Sequence, residues 1–146
     1  MCIPPGFYAQ SIRRGRIDFF TGDGRTSLVD VRDIGAAAAV VLVEERHAGR
    51  AYSLTGPDAL DQHRIAEILS RVTERKIEYV ARSHDDTRRA LRETGLPEAT
   101  IEASVARFAE VETDLFAPVL ADLPLLIGRA PVSFEEYARE NAECWR

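Results

Sequence analysis

The 146-residue sequence lacks the segments by which membrane and secreted proteins are recognised. No apolar run approaches the roughly 20 residues of a transmembrane helix, and the most apolar stretch, residues 36–43, is short and rich in alanine. The start, MCIPPGFYAQ, has neither the basic region nor the long apolar core of a secretory signal. The two cysteines, Cys2 and Cys144, lie at opposite ends and imply no disulfide framework. We therefore expect a cytoplasmic protein.

Acidic residues outnumber basic ones, and lysine is nearly absent. The chain has 19 basic and 24 acidic residues, a formal net charge of −5, and Lys76 is its only lysine. We therefore expect neither nucleic acid nor a membrane as a partner. Hydrophobic residues make up 45% and charged residues 29%, and this balance is typical of one soluble globular domain.

The glycine patterns of nucleotide-binding loops are missing. Neither G-x-G-x-x-G nor G-x-x-x-x-G-K-[ST] occurs in the chain. The turn LTGPDAL offers one glycine, a proline without an N–H group, and two aspartates that would repel a phosphate. We expect this turn only to join a strand to a helix, and we interpret the G-x-G at Gly22 and Gly24 as a hairpin turn.

Catalytic and metal-binding motifs are missing as well. Short-chain dehydrogenases use Tyr-x-x-x-Lys, but here the fourth residue after each tyrosine is Ile12, Gly56, Ser83 or Asn141. The three histidines, His47, His63 and His84, are not paired at helical spacing, and we interpret them as surface side chains. No G-x-S-x-G nucleophile turn is present. The catalytic residues are therefore unknown, and we expect no metal site.

Hydrophobic periodicity predicts an α/β fold with few short strands, at residues 17–20, 27–31, 51–54 and 77–81. Helices are expected at 7–14, at 32–46 and after Asp61, so strands and helices alternate and parallel pairing is favoured. We expect a single domain, with an α/β portion over about residues 1–81 and a helical lobe over about 82–146. Two prolines interrupt residues 113–128, which the periodicity does not resolve.

The helix expected at 32–46 is apolar on nearly all sides. Small residues on such a helix predict that it lies close against a sheet and is covered on its outer side. Asp30, Arg32 and Asp33 form the densest charged group of the chain. Two interpretations stay open: a capped helix start with a local salt bridge, or carboxylates that line a cleft.

Several segments together resemble a known family. In order, they are PPGFYAQSI, SLVDVRDIGAAAAVVL, AYSLTGPDAL, IAEILSRVTERKIEYV and LIGRAPVSFEEYARENA. This series is similar to the C-terminal half of NmrA-like proteins, which are atypical relatives of the short-chain dehydrogenases. The resemblance implies the C-terminal part of an NAD(P)-binding Rossmann-like fold. It also implies a preceding glycine-rich half, of which only Met1, Cys2 and Ile3 would remain here.

The resemblance places one candidate site. Phe7 and Tyr8 match the family's region near the nicotinamide and substrate cleft, so they are candidates for a substrate pocket. No catalytic residue carries over. We expect no cofactor to bind the isolated chain, and NAD(P) is implied only by the resemblance.

The same resemblance predicts a partner. In the family, helix 32–46 and strand 51–54 pack on the half that is missing here. Without it they would expose more apolar surface than the few hundred Å² common on monomers. We therefore expect a stand-alone or truncated domain without dehydrogenase activity that forms a two-fold homodimer. The alternatives are one half of a split NAD(P)-dependent oxidoreductase, completed by a Rossmann chain, and a regulatory protein-interaction module.

Overall fold

The structure is a computed structural model that describes residues 9–145. Within them, short strands alternate with helices, as expected of an α/β chain. In order, the elements are α1 (Ala9–Arg13), β1 (Arg16–Phe19), β2 (Thr26–Ser27), α2 (Val31–Val43), β3 (Ala59–Leu60), α3 (Gln62–Thr73), β4 (Glu78–Ala81), α4 (His84–Glu93), α5 (Glu98–Glu112), α6 (Asp122–Ile127) and α7 (Phe134–Glu140). Short 3-10 helices occupy Glu45–His47 and Ala142–Cys144.

The strands form two separate pairs. β1 runs parallel to β4, and β2 runs antiparallel to β3. The α/β class with few, partly parallel strands is thus confirmed. The hairpin expected at Gly22 and Gly24 is wrong, because the strands on its two sides belong to different pairs. Gly24 lies instead against α5, where an added Cβ atom would approach the Val111 carbonyl oxygen to 2.1 Å.

The strand expected at residues 51–54 is not a strand in the described part of the chain. Contacts that involve side chains, and not backbone hydrogen bonds to a neighbouring strand, hold this segment. The Ser53 N–H donates to the Asp122 carboxylate at 2.9 Å, and the Leu54 side chain packs beside Val29 and Leu123. The strand pairing of this region begins only at β3.

The larger hydrophobic cluster surrounds the parallel pair. It contains the α3 stripe of Ile65, Ile68 and Leu69, together with Phe134 and Trp145 from the C-terminal end. The apolar residues of α3 recur at helical spacing and face this one core. Because α7 packs directly on α3, the end of the chain is part of this core.

Polar side chains cap the first turns of four helices. Asp61, Ser83 and Ser133 each accept a backbone N–H from the third residue after them. Asp30 caps α2 by accepting the Arg32 N–H at 2.8 Å. Each cap satisfies a donor that the first helical turn leaves without an internal partner.

Helix α2 differs from the expectation in its surroundings. It ends at Val43, three residues earlier than predicted, and its largest contact is with α6 and not with a sheet. Only Asp33 and Ala37 of α2 are buried. Residues 51–54 form no strand, and the described residues leave much of the outer side of α2 exposed.

Within residues 9–145 we find no helix with the length and apolar character needed to span a membrane.

Candidate functional site

The two pocket residues indicated by the family resemblance, Phe7 and Tyr8, lie outside the described residues. Their assignment to a substrate pocket therefore stays a prediction. The described residues include three other features that the sequence analysis examined as candidate sites. They are the charged group at the start of α2, the Gly56 turn and the histidines. They also contain a cavity that the sequence did not indicate.

The charged group proves to be a helix start. Asp30 is buried, and its carboxylate accepts both the Arg32 backbone N–H and the Arg32 guanidinium, with an Oδ2–Nη2 distance of 2.8 Å. Hydrogen bonds from Arg32 lower the pKa of Asp30 below its usual value. Arg32 also forms an ion pair with Glu140 at 2.6 Å. The first of the two open interpretations is supported here.

Asp33 has a different partner. Its side chain is fully buried. One carboxylate oxygen lies 2.6 Å from the Arg129 guanidinium, and the other accepts the Val132 N–H at 2.7 Å. Both partners belong to the segment between α6 and α7. Asp33 thus ties α2 to the C-terminal part of the chain and does not face an open cleft.

The Gly56 turn is closed to a phosphate. A Cβ atom on Gly56 would lie 1.6 Å from the Leu28 carbonyl oxygen, so glycine is required because two backbone segments touch. The Gly56 N–H points to the Ser27 carbonyl oxygen at 3.4 Å. The turn therefore joins residues 51–55 to the β2 region, and these residues do not fit a nucleotide phosphate.

One of the three histidines is not a surface side chain. His47 is buried, with Nδ1 2.6 Å from the Tyr52 hydroxyl and Nε2 3.2 Å from the Glu44 carboxylate. The interpretation of His47 as exposed was wrong, because the 3-10 turn after α2 folds it against Tyr52. No group of three or more metal-binding side chains occurs among residues 9–145.

A cavity of about 480 Å³ lies where β2, the end of α5 and residues 54–55 meet. The segment 113–120, called the strap below, crosses this cavity. Most of the lining is apolar and includes Leu54, Phe108, Val111, Leu115, Phe116 and Leu120. The volume lies within the range of small-molecule sites in proteins. We call it the strap cavity.

The strap is held at three points. Asp114, in a left-handed conformation with φ of 59°, pairs with Arg25 at 2.6 Å. Ser27 donates to the Phe116 carbonyl oxygen from its N–H at 2.8 Å and from its hydroxyl at 3.1 Å. The Leu120 N–H donates to Thr55 Oγ1 at 2.9 Å. The strap is therefore fixed at its beginning, middle and end.

The aromatic side chains of the cavity are fixed too. Phe108 packs against Phe19 and Phe20, with ring centroids 5.5 Å apart in both pairs. The Arg107 guanidinium lies 4.5 Å from the centre of the Phe116 ring and donates to Glu110 at 2.8 Å. The cavity walls are thus preformed and carry little free charge.

Sequence reasoning did not find this cavity. Its lining comes from three segments that are far apart in the chain. The only local signal is the pair Pro118 and Pro124, which marks an irregular segment without indicating what it covers.

Curated relatives of the chain include an NAD(P)H azoreductase and a second reductase. The chain is 34% identical over 148 residues to the NAD(P)H azoreductase of Xenophilus azovorans, a match that covers 96% of the chain and 52% of the relative. It is 31% identical over 139 residues to the (4-alkanoyl-5-oxo-2,5-dihydrofuran-3-yl)methyl phosphate reductase of Streptomyces griseus, covering 94% of the chain and 49% of the relative. No family model matches the sequence.

Two solved structures of similar fold are reductases as well. The triphenylmethane reductase of Citrobacter sp. superimposes with a TM-score of 0.82 at 26% identity, over 97% of this chain and 48% of the reductase. The NADPH-dependent quinone oxidoreductase QOR2 of Escherichia coli gives 0.80 at 25%, over 91% and 49%. The described fold is therefore that of part of an NAD(P)-binding, Rossmann-like reductase. The chain spans about half the length of the curated relatives it matches.

Proposed function

We propose that this chain is the substrate-side half of an NAD(P)H-dependent reductase of the NmrA-like kind. The cofactor would be held by a nucleotide-binding half that lies outside these 146 residues, on the same or on another polypeptide. Two findings support this. The relatives and structural neighbours are reductases of which the chain matches about half. The Gly56 turn does not fit a nucleotide phosphate, since the Leu28 backbone lies against it.

The observation that carries the proposal is the exposed face of α2. Val31 is 62% exposed, Leu42 85% and Val43 81%. Between them, Gly35 and Ala38 are also exposed, and because neither carries a bulky side chain, another element can pack closely on them. We call this set the α2 face. A continuous apolar face of this kind is characteristic of a surface that another part of a protein covers.

The strap cavity has exposed apolar residues beside it as well. Leu115 is 58% exposed, Val119 50% and Leu120 42%. A nucleotide-binding half that covers these residues would close the cavity on its open side. We propose that the reducible substrate lies in this cavity, against the nicotinamide that the other half would bring, and that the natural setting is the cytoplasm.

A second copy is the proposed cover when the nucleotide-binding half is absent. An apolar helix face can pair with itself about a two-fold axis. Such a homodimer would have no dehydrogenase activity, because neither copy holds the cofactor. A role as a regulatory interaction module would use the same face.

A chimeric enzyme tests the proposal. The part of the Xenophilus azovorans azoreductase that matches this chain is replaced by the 146 residues, and NADPH oxidation with a quinone or azo acceptor is followed. We expect acceptor-dependent oxidation by the chimera and no saturable NADPH binding by the chain alone. A chimera carrying Leu42→Asp, which places a charge in the α2 face, should lose activity, whereas Leu96→Asp, distant in sequence, should keep it.

Two outcomes would contradict the proposal. One is tight, saturable binding of NADPH to the isolated chain, since the cofactor site would then lie within it. The other is a folded chimera that binds NADPH but reduces no acceptor at any concentration.

A further inference from the structure

We propose that the strap cavity selects an uncharged, flat aromatic ligand with a hydrogen-bond acceptor, which the Thr55 hydroxyl orients, and that it rejects cations of the same size. This rests on the proposed function only in treating the cavity as the substrate side. The geometry itself comes from the described residues.

The first argument is charge. Arg107 is the only charged residue that lines the described cavity, and no carboxylate lines it. The Arg107 charge is directed to Glu110 and to the Phe116 ring. A cation that entered the apolar space would lose its hydration and meet no negative partner, a costly transfer. A neutral ligand incurs no such cost.

The second argument is shape. The Phe108 ring is held by its contacts with Phe19 and Phe20, and the Phe116 ring lies against the Arg107 guanidinium, 4.5 Å from the ring centre. Aromatic rings that are already fixed can contact a flat ligand without losing side-chain freedom on binding. A cavity of about 480 Å³ accepts a substituted bicyclic ring.

The third argument is the hydroxyl group of Thr55. Its oxygen accepts the Leu120 N–H, and within the described chain its proton has no acceptor. A threonine hydroxyl offers one donor and two acceptor sites. The hydroxyl proton of Thr55 is therefore available to a carbonyl oxygen or an azo nitrogen of a ligand in the cavity. The Ser27 hydroxyl, in contrast, already donates to the Phe116 carbonyl oxygen.

Binding to the full 146-residue chain, measured by calorimetry without NADPH, tests this inference. Three probes of similar size are compared: 2,3-dimethyl-1,4-naphthoquinone, 2,3-dimethylnaphthalene, which has no acceptor, and the cation N-methylquinolinium. We expect the quinone to bind with saturation, the hydrocarbon about three- to tenfold more weakly, and the cation at least about tenfold more weakly.

Variants assign the effects to residues. Thr55→Val should reduce quinone affinity to that of the hydrocarbon, whereas Thr55→Ser, which keeps the hydroxyl, should preserve it. Leu115→Glu places a carboxylate at a half-exposed wall position and should raise affinity for the cation about two- to fivefold, since water screens a charge at such a position. Circular dichroism checks the fold of each variant.

Some results would overturn the inference. They are the absence of quinone binding, equal binding of the quinone and the cation, or a Thr55→Val variant that binds the quinone as well as the natural chain. Because no cofactor is present, these outcomes are independent of the chimera experiment. An inactive chimera with normal quinone binding would contradict the proposed function alone.

Discussion

The two hydrophobic clusters of this chain are built differently. The cluster around β1, β4, α3 and α7 buries twelve residues and is covered by the chain itself. The cluster between α2 and α6 buries only three, Val29, Ala37 and Leu123. Yet α2 is the more apolar of the two long helices in these clusters, since α3 keeps charged residues on its outer side.

This difference shows which of the two clusters has its apolar surface covered by the described residues. An amphipathic helix such as α3 buries its apolar face and exposes its polar face to water, so contacts within its own domain cover all of its apolar surface. A helix that is apolar on nearly all sides needs a cover on each. In α2, the residues that the structure describes cover only the side that packs on α6.

The largest contrast is expected between two leucines. Leu69 is 2% exposed in α3, and Leu42 is 85% exposed in α2. Leu69→Ala should lower the free energy of unfolding by about 2–5 kcal/mol, because it leaves a cavity in the covered cluster. Leu42→Ala should change it by less than about 0.5 kcal/mol in the monomer. Denaturant unfolding at low protein concentration measures both, and a large loss for Leu42→Ala would mean that the chain itself covers α2.

Two glycines sharpen the comparison. Gly56→Ala should destabilise the chain by about 1–3 kcal/mol, because its Cβ atom would meet the Leu28 backbone. Gly35 has open space where its Cβ atom would lie. Gly35→Ala in the middle of α2 should therefore stabilise the monomer by up to about 1 kcal/mol. Thermal unfolding monitored by circular dichroism compares the two, and a destabilising Gly35→Ala would contradict the open surface.

The smallest predicted effect is the pH dependence that Asp30 gives to the stability of the chain. Hydrogen bonds from Arg32 lower the folded pKa of Asp30 below the ordinary value of 3.8. The ionised carboxylate therefore adds stability above that value, and this contribution is lost as the pH falls through the folded pKa. Asp30→Asn keeps a capping side chain but should remove this dependence. Unfolding midpoints of the two proteins should differ at pH 6 and converge near pH 2; a constant difference would exclude the ion pair as its cause.

Local features of this fold could be predicted from the sequence. The caps at Asp30, Asp61, Ser83 and Ser133 depend on contacts that reach only two or three residues, and aspartate and serine are residue types that favour such caps. The buried stripe of α3 follows from helical spacing alone.

Contacts between distant segments could not be predicted. β1 pairs with β4, from Arg16 opposite Glu78 onward, and nothing within either strand specifies that partner. The hairpin at Gly22 was wrong for this reason, since the local turn residues fit both arrangements. The strap cavity escaped notice because Ser27, Thr55 and Phe116 meet only in three dimensions.

Sedimentation velocity of the chain alone, over a range of protein concentrations, tests most directly whether the α2 face is an interface. We predict concentration-dependent association to a dimer for the natural chain. Leu42→Asp should remain monomeric, and Leu96→Asp, with a partly exposed leucine outside α2, should associate normally. A natural chain that stays monomeric and folded at every concentration, or association that Leu42→Asp leaves unchanged, would contradict the account.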